Sequence, residues 1–377
     1  MRKLFIMIKP NSNLCNIDCR YCFYSKNHNC IVDSNQKFMK KKACVALIKN
    51  IMFSSEGYDE IEFIFQGGEP SIIGLEFFEF FLDTVNFFNL SSKKNISYNF
   101  QTNGINIDEN WASFFKNNNF LVGLSLDMFK NNHDLYRVQG NRGTFDHVMN
   151  TKKMFDNLCV DYNILSVITK NLSKNPLDAY EFIKHEGISY IQFIPCIDDN
   201  INDDNIKINP RDFFSFYIEI FKLWINDLRD NTLVHIKLFE DIYYFIKNKS
   251  VGFCGQNGTC GLQIVVESDL TVYPCDFFCF KKYQLGNLYE NKLSEIILNK
   301  KHLQFFNENL HEKERLYCKK YCSLYSKCKL GCKKLFDKMY LDETGFCAFS
   351  KIYKLISENY YIIDRAYNLC DQGKIVL

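Results

Sequence analysis

Short runs of β-branched and aromatic residues alternate with longer segments whose apolar positions recur every three or four residues, from the amino terminus to about residue 196. That alternation predicts βα units around a parallel sheet. Six strands are expected: LFIMI (4–8), IEFIFQ (61–66), ISYNFQT (96–102), FLVGLSL (120–126), YNILSVIT (162–169) and YIQFIP (190–195). Amphipathic helices such as KKKACVALIKNIMF (40–53) and LEFFEFFLDTVNFF (75–88) fall between them. Six repeats where a closed barrel has eight imply an α/β fold built as a partial (β/α)6 TIM-like barrel, open on one side to a bulky substrate.

The polar motifs all sit at the carboxyl ends of these strands, the edge where parallel βα folds gather their active-site loops. GGEP (67–70) follows the second strand, QTNG (101–104) closes the third, Ser125 and Asp127 close the fourth, and Pro195 with Cys196 closes the sixth. The stretch IDDNINDDNIKINP (197–210) has no periodicity and reads as a linker or surface loop. Two helices, about 211–230 and 234–248, lead out of it. The expected division is therefore a barrel over 1–200, a linker with connecting helices over 201–250, a small cysteine-rich domain over 251–350, and a C-terminal helix and tail over 351–377.

Composition narrows the function. A chain of 377 residues that is 47% hydrophobic buries a large core. Its 46 basic and 44 acidic residues are mixed, so no single-sign field draws it to nucleic acid or to an anionic membrane. The five apolar residues before Lys9 are too few for a signal peptide, and no run is long enough to span a bilayer. Seventeen cysteines without an export signal read as metal or catalytic ligands in a reducing cytoplasm, not as a disulfide scaffold. The expectation is a cytoplasmic enzyme working where oxygen is scarce on a small or peptide substrate.

Cys15, Cys19 and Cys22, in CNIDCRYCFY, stop one short of a closed site. Three thiolates can hold three irons of a 4Fe-4S cube and leave the fourth open to a ligand; a zinc site with a distant fourth ligand and incidental buried thiols are the other readings. Eight more cysteines, Cys254, Cys260, Cys275, Cys318, Cys322, Cys328, Cys332 and Cys347, suffice for two fully ligated clusters or for zinc ribbons, and spacing alone does not divide them. Metal ligation is expected to supply much of that domain's folding free energy. The seven histidines have no metal-ligand spacing.

The CxxxCxxC triad with an aromatic before its last cysteine, followed by GGEP after the next strand, resembles the radical S-adenosylmethionine superfamily. The later cysteine order resembles its auxiliary-cluster domain, called SPASM. Within the superfamily the chain is similar to the anaerobic sulfatase-maturating enzymes, through IKP, CFY, FQGGEP, GLEFFE, QTNG, LVGLSLD, NGTC, VVES and VYPCDFF. The resemblance implies three 4Fe-4S clusters and S-adenosylmethionine bound at the open iron. It also implies oxidation of a cysteine or serine in a Cys/Ser-x-Pro/Ala-x-Arg segment of a sulfatase to formylglycine, with a flavodoxin- or ferredoxin-type electron donor. Gly67, Gly68 and Glu69 would meet the methionine end of the cofactor, and Gln66, Ser125 and Asp127 would be further cofactor contacts. Cys254, Cys260, Cys275 and Cys332 would hold one auxiliary cluster, and Cys318, Cys322, Cys328 and Cys347 the other. Asp276, beside Cys275, would be the general base, with Tyr24 lining the same pocket; a turn residue near the cluster is its plainer reading. Maturation of ribosomal peptides by thioether or carbon-carbon crosslinks is the alternative within the superfamily, and a non-catalytic metal scaffold the alternative outside it.

Three departures from the family pattern stand out. Met128 and Phe129 replace the usual Gly-Pro after Asp127, Leu270 replaces a glycine before VYPC, and Cys318 and Cys322 have three residues between them instead of two.

Overall fold

The computed structural model describes residues 2–26, 37–197, 203, 206–247, 253–261, 263–308 and 310–373. They form two compact units: Met1–Ser125 with Arg137–Tyr162 and Leu262–Glu308, and Leu126–Tyr136 with Asn163–Gly261 and Asn309–Leu377.

In the first unit four of the expected strands lie parallel in the order Phe120–Ser125, Asn95–Thr102, Glu60–Phe65, Lys3–Ile8. Each begins or ends within one residue of its sequence-based position. A fifth parallel neighbour, Gln263–Val266, pairs with Lys3–Ile8 and continues into an antiparallel hairpin with Thr271–Tyr273. Strand alternation divides the two faces. One buries Ile61, Phe63, Phe65 and Phe100 against the helices Lys41–Ser54, Leu75–Ser92 and Glu109–Asn117, whose Phe78, Phe81 and Phe115 meet them edge-on or tilted at ring separations near 5 Å. The other carries Met7, Ile64, Asn99, Gln101, Gly123 and Ser125, as the register requires. On it, Met7, Val265, Tyr273 and Cys279 form a small buried apolar floor with Ile64 packed beside them.

The second unit holds the remaining two expected strands, Tyr162–Ile168 and Tyr190–Pro195, in parallel, with the two-residue strand His235–Ile236 beside them. The long helix Pro210–Arg229 begins at a capping box: the Asn209 side chain accepts from the Arg211 and Asp212 backbone N–H groups at 2.9 and 3.0 Å, and Asp212 answers the Asn209 N–H at 3.2 Å. Its Phe216, Tyr217 and Trp224 pack on Phe193 and Phe239. Two expectations change here. The helix predicted from 234 starts at Lys237, because the His235 N–H is taken by Ser189 O at 2.8 Å in strand pairing. The 197–210 stretch is described only in part, and within it Ile206 and Ile208 are buried, so it is not purely a surface loop. Among the described residues no helix is long and apolar enough to cross a membrane.

Candidate functional site

The cysteine loop is positioned by backbone. After the strand Lys3–Ile8, residues 12–14 pass directly over residues 67–69: the Gly68 N–H donates to Ser12 O at 2.8 Å and the Glu69 N–H to Leu14 O at 2.7 Å. A Cβ at Gly68 would stand 1.9 Å from Leu14 O, and one at Gly67, whose φ is +123°, 2.5 Å from Ser12 O. The paired glycines of GGEP are therefore required by the approach of the segment that leads into Cys15.

Glu69 extends the same clasp. It is buried, and its carboxylate accepts from Ser71 N at 3.1 Å, Ser71 Oγ at 2.6 Å, Thr102 Oγ1 at 2.9 Å and Asn103 N at 2.7 Å. Burial pushes its carboxyl pKa up, and these donors pull part of the way back. Asn103 in turn reaches Cys15 Sγ through Nδ2 at 3.6 Å. Cys19 belongs to a two-residue strand paired with Arg137–Gln139, and its sulfur lies 3.9 Å from the Arg137 guanidinium. The Cys22 N–H closes a turn on Cys19 O. The three thiols thus share a loop furnished with an amide and a cation suited to thiolate charge.

Above the apolar floor lies a buried ionic network. Lys9 Nζ sits 2.8 Å from Asp276 Oδ1, 3.1 Å from Glu267 Oε1 and 3.3 Å from Cys279 Sγ. Asp276 Oδ2 accepts from Tyr24 Oη at 2.5 Å and from Gln66 Nε2 at 3.0 Å, while the same Gln66 amide donates to Tyr24 Oη at 2.7 Å. Burial alone would lower the Lys9 pKa, but the Asp276 carboxylate, then Glu267, hold it well above its ordinary value. Burial, then the Asp276 charge, push the Tyr24 phenol well up. Asp276 and Tyr24, expected in one pocket, meet here, and Gln66, expected as a cofactor contact, joins them. Lys9 and Glu267 stand in IKP and VVES, motifs that give them no role from sequence alone, although alternation puts Lys9 on the face of Met7; Cys279 is buried beside them.

The strand-end residues differ in kind. Ser125 is half-buried on the face of Gln101. Asp127, in the second unit, is wholly buried and its Oδ1 accepts the Val167 N–H at 2.9 Å, which fixes strand ends. Met128 keeps a positive φ of 57° and Leu270 one of 66°, both buried, so the backbone turns where the family has glycine persist here with bulky side chains. Of the cysteines outside the ligand sets, Cys30, Cys44, Cys159, Cys279 and Cys370 read from the sequence as buried thiols; Cys159 is instead exposed, following the helix Phe145–Asn157 in left-handed conformation, and Cys30 lies outside the described residues.

In the second unit the loop 253–261 rests on the backbone of 328–332: Cβ atoms at Gly255 and Gly258 would fall 2.8 Å from Cys332 Cα and 2.5 Å from Lys329 O. Cys254, Cys260 and Cys332 are thereby gathered, each acting on another electrostatically. Cys318, Cys322, Cys328 and Cys347 form a second group; burial pushes Cys318 up to about 11 and Cys347 up to about 12, with the neighbouring sulfurs adding. Cys275 stands in the first unit, where its carbonyl accepts from Cys279 Sγ at 3.6 Å. Among the described residues no three His, Cys, Asp or Glu side chains surround one point tightly enough for a single ion. Cysteine sets of three and four suit bodies of several irons, which hold their sulfurs further apart.

Comparison with known proteins agrees with this geometry. Residues 12–193 match the Radical SAM superfamily model and residues 259–332 the SPASM iron-sulfur cluster-binding domain. A cysteine-type anaerobic sulfatase-maturating enzyme of Clostridium novyi (strain NT) is 35% identical over 95% of both chains. A serine-type anaerobic sulfatase-maturating enzyme of Bacteroides thetaiotaomicron is 26% identical, over 81% of this chain and 77% of that one. The solved structure of native anSMEcpe with bound AdoMet and Cp18Cys peptide superposes with a TM-score of 0.84 at 32% identity, over 97% of this chain and 99% of that one.

Proposed function

This chain belongs to the anaerobic sulfatase-maturating enzymes, and from that premise we propose that it oxidises a cysteine in a sulfatase polypeptide to formylglycine. The cysteine-type relative shares more of the sequence than the serine-type one, which supports cysteine as the target. The observation that carries the reading is the buried Asp276 carboxylate, held on both oxygens beside Cys275 at the carboxyl edge of the sheet.

When bound, three 4Fe-4S clusters and S-adenosylmethionine supply the radical that takes a hydrogen atom from the substrate β-carbon and the path by which a second electron leaves. The protein's part is placement and proton handling. Cys15, Cys19 and Cys22 would hold the cluster that meets the cofactor. Gly67, Gly68 and Glu69 would flank the amino-acid end, with Glu69 Oε2, which among the described residues accepts from Asn103 N alone, able to take a second donor. Gln66 and Ser125 would face the nucleotide from the sheet, and Asp127 would act through the backbone it fixes. Cys254, Cys260, Cys275 and Cys332 are proposed as one auxiliary ligand set, and Cys318, Cys322, Cys328 and Cys347 as the other.

Asp276 is proposed to take the substrate thiol proton. A free thiol has a pKa near 8.5 and is mostly protonated at pH 7, so a base is needed as the thioaldehyde forms. Tyr24 and Gln66 orient Oδ2, and Lys9 anchors Oδ1. Water then replaces sulfur, releasing sulfide and leaving the aldehyde. The target segment is proposed to be Cys-x-Pro/Ala-x-Arg, the donor a flavodoxin or ferredoxin, and the compartment the cytoplasm, where many free thiols stay reduced. Anaerobic incubation of reconstituted enzyme with cofactor, reductant and paired cysteine and serine peptides, read by mass spectrometry, tests this. The cysteine peptide should convert to the aldehyde; 5'-deoxyadenosine without peptide aldehyde would overturn the assignment.

A further inference from the structure

The two cysteine groups of the second unit are joined by a short, unusual turn. Between Cys328 and Cys332 the residues Lys329, Leu330 and Gly331 all take positive φ, at 40°, 76° and 69°. Tyr340 lies against that turn: a Cβ on Gly331 would fall 1.8 Å from Tyr340 Cζ and 2.0 Å from its hydroxyl oxygen. The ring is 1% exposed and packs beside Phe336 and Phe349, with centroids at 6.3 and 5.1 Å. Its backbone carbonyl accepts the Ala348 N–H at 3.1 Å, next to the bridge between Leu341 and Cys347.

The ring packing needs only a phenylalanine. The hydroxyl makes no hydrogen bond of ordinary geometry among the described residues. The Cys332 backbone N–H leans toward it but is itself a donor, so the phenolic proton still has no acceptor. Leaving a buried polar group unsatisfied is a loss that folded proteins seldom retain without use. The oxygen lies against Gly331, the residue before Cys332, and the charged groups that act on it are thiols: Cys332 most strongly, then Cys328 and Cys347.

We propose that Tyr340 is a positioning residue of the auxiliary iron-sulfur centres, its O–H donating to a sulfur of the centre that Cys332 ligates. Such a hydrogen bond stabilises the reduced, more negative centre more than the oxidised one and so raises its potential. In the proposed reaction that centre would then accept an electron more readily. The inference rests on the auxiliary-cluster assignment given above.

The test is Tyr340→Phe in the fully reconstituted holoenzyme, followed by redox titration monitored by electron paramagnetic resonance. Iron content and thermal stability should match wild type, while the reduced-to-oxidised ratio of one auxiliary signal at fixed potential falls about tenfold, equivalent to about 59 mV for one electron. Pulsed measurements on wild type exchanged into deuterium oxide should detect a strongly coupled deuteron on that signal, absent in the variant. Normal iron with unchanged potentials and no coupled deuteron in wild type overturns the proposal alone. Iron too low for auxiliary clusters in wild type overturns the cluster assignment with it. If the variant loads iron poorly, the deuteron measurement on wild type decides by itself.

Discussion

Replacing Asp276 with asparagine preserves side-chain size but removes the charge on which three neighbours converge. The amide oxygen can still accept from Tyr24 and Gln66, which places its NH2 group against the Lys9 ammonium, where the carboxylate now stands at 2.8 Å. Removing one partner of a buried ion pair costs about 3–5 kcal/mol. Glu267, 3.1 Å from Lys9, keeps that ammonium paired, so the loss belongs at the low end, about 3 kcal/mol. Chemistry should suffer more selectively. A positioned general base contributes about 10²–10⁴-fold, whereas cofactor cleavage draws on a different set of residues. The assay is anaerobic turnover of a cysteine peptide with 5'-deoxyadenosine and peptide aldehyde quantified in the same sample. Aldehyde per deoxyadenosine should fall by at least 10²-fold while cleavage continues. An unchanged ratio would show that Asp276 is not the base.

Gly68→Ala should drive Leu14 away from the 67–69 backbone, costing roughly a third of the bound iron and all cofactor cleavage, measured by iron analysis of the reconstituted protein, with the auxiliary signals retained. Leu270→Gly would relieve left-handed strain of about 1 kcal/mol but delete a fully buried side chain worth about 2–5 kcal/mol; urea unfolding should show a net loss, and a gain would mean strain dominates. Lys9→Met should destabilise the protein by leaving two carboxylates unpaired. Because the folded Lys9 pKa lies above its ordinary 10.5, the wild-type advantage is full below that value and declines only as pH rises through the higher folded one. Thermal melts of both proteins across alkaline pH check this, and an advantage that vanishes near neutrality would contradict it.

All six βα strands were legible because each apolar run is bounded by turn residues and flanked by helices of clear periodicity. Their carboxyl-end motifs followed from that placement. The purpose of the GGEP glycines was not legible: alternation says nothing of which distant backbone will lie 1.9 Å from a missing Cβ. Lys9 escaped notice because a lysine after a strand usually marks the surface, and only the later arrival of Glu267 and Asp276 from the hairpin makes it internal. Tyr340 had no sequence signal, since its role depends on the absent Cβ of Gly331. Spacing left the eight late cysteines undivided. The folded chain groups seven of them by letting loop 253–261 rest on 328–332 and by placing Cys347 at the cap of the helix Ala348–Glu358.

The peptide clasp between residues 12–14 and 67–69 bears on which positions the chain is free to change. Its bonds run from main chain to main chain, so side chains over 12–14 can vary without breaking them. The opposite side of the clasp has no such latitude, because any side chain at Gly67 or Gly68 would collide with the facing carbonyls.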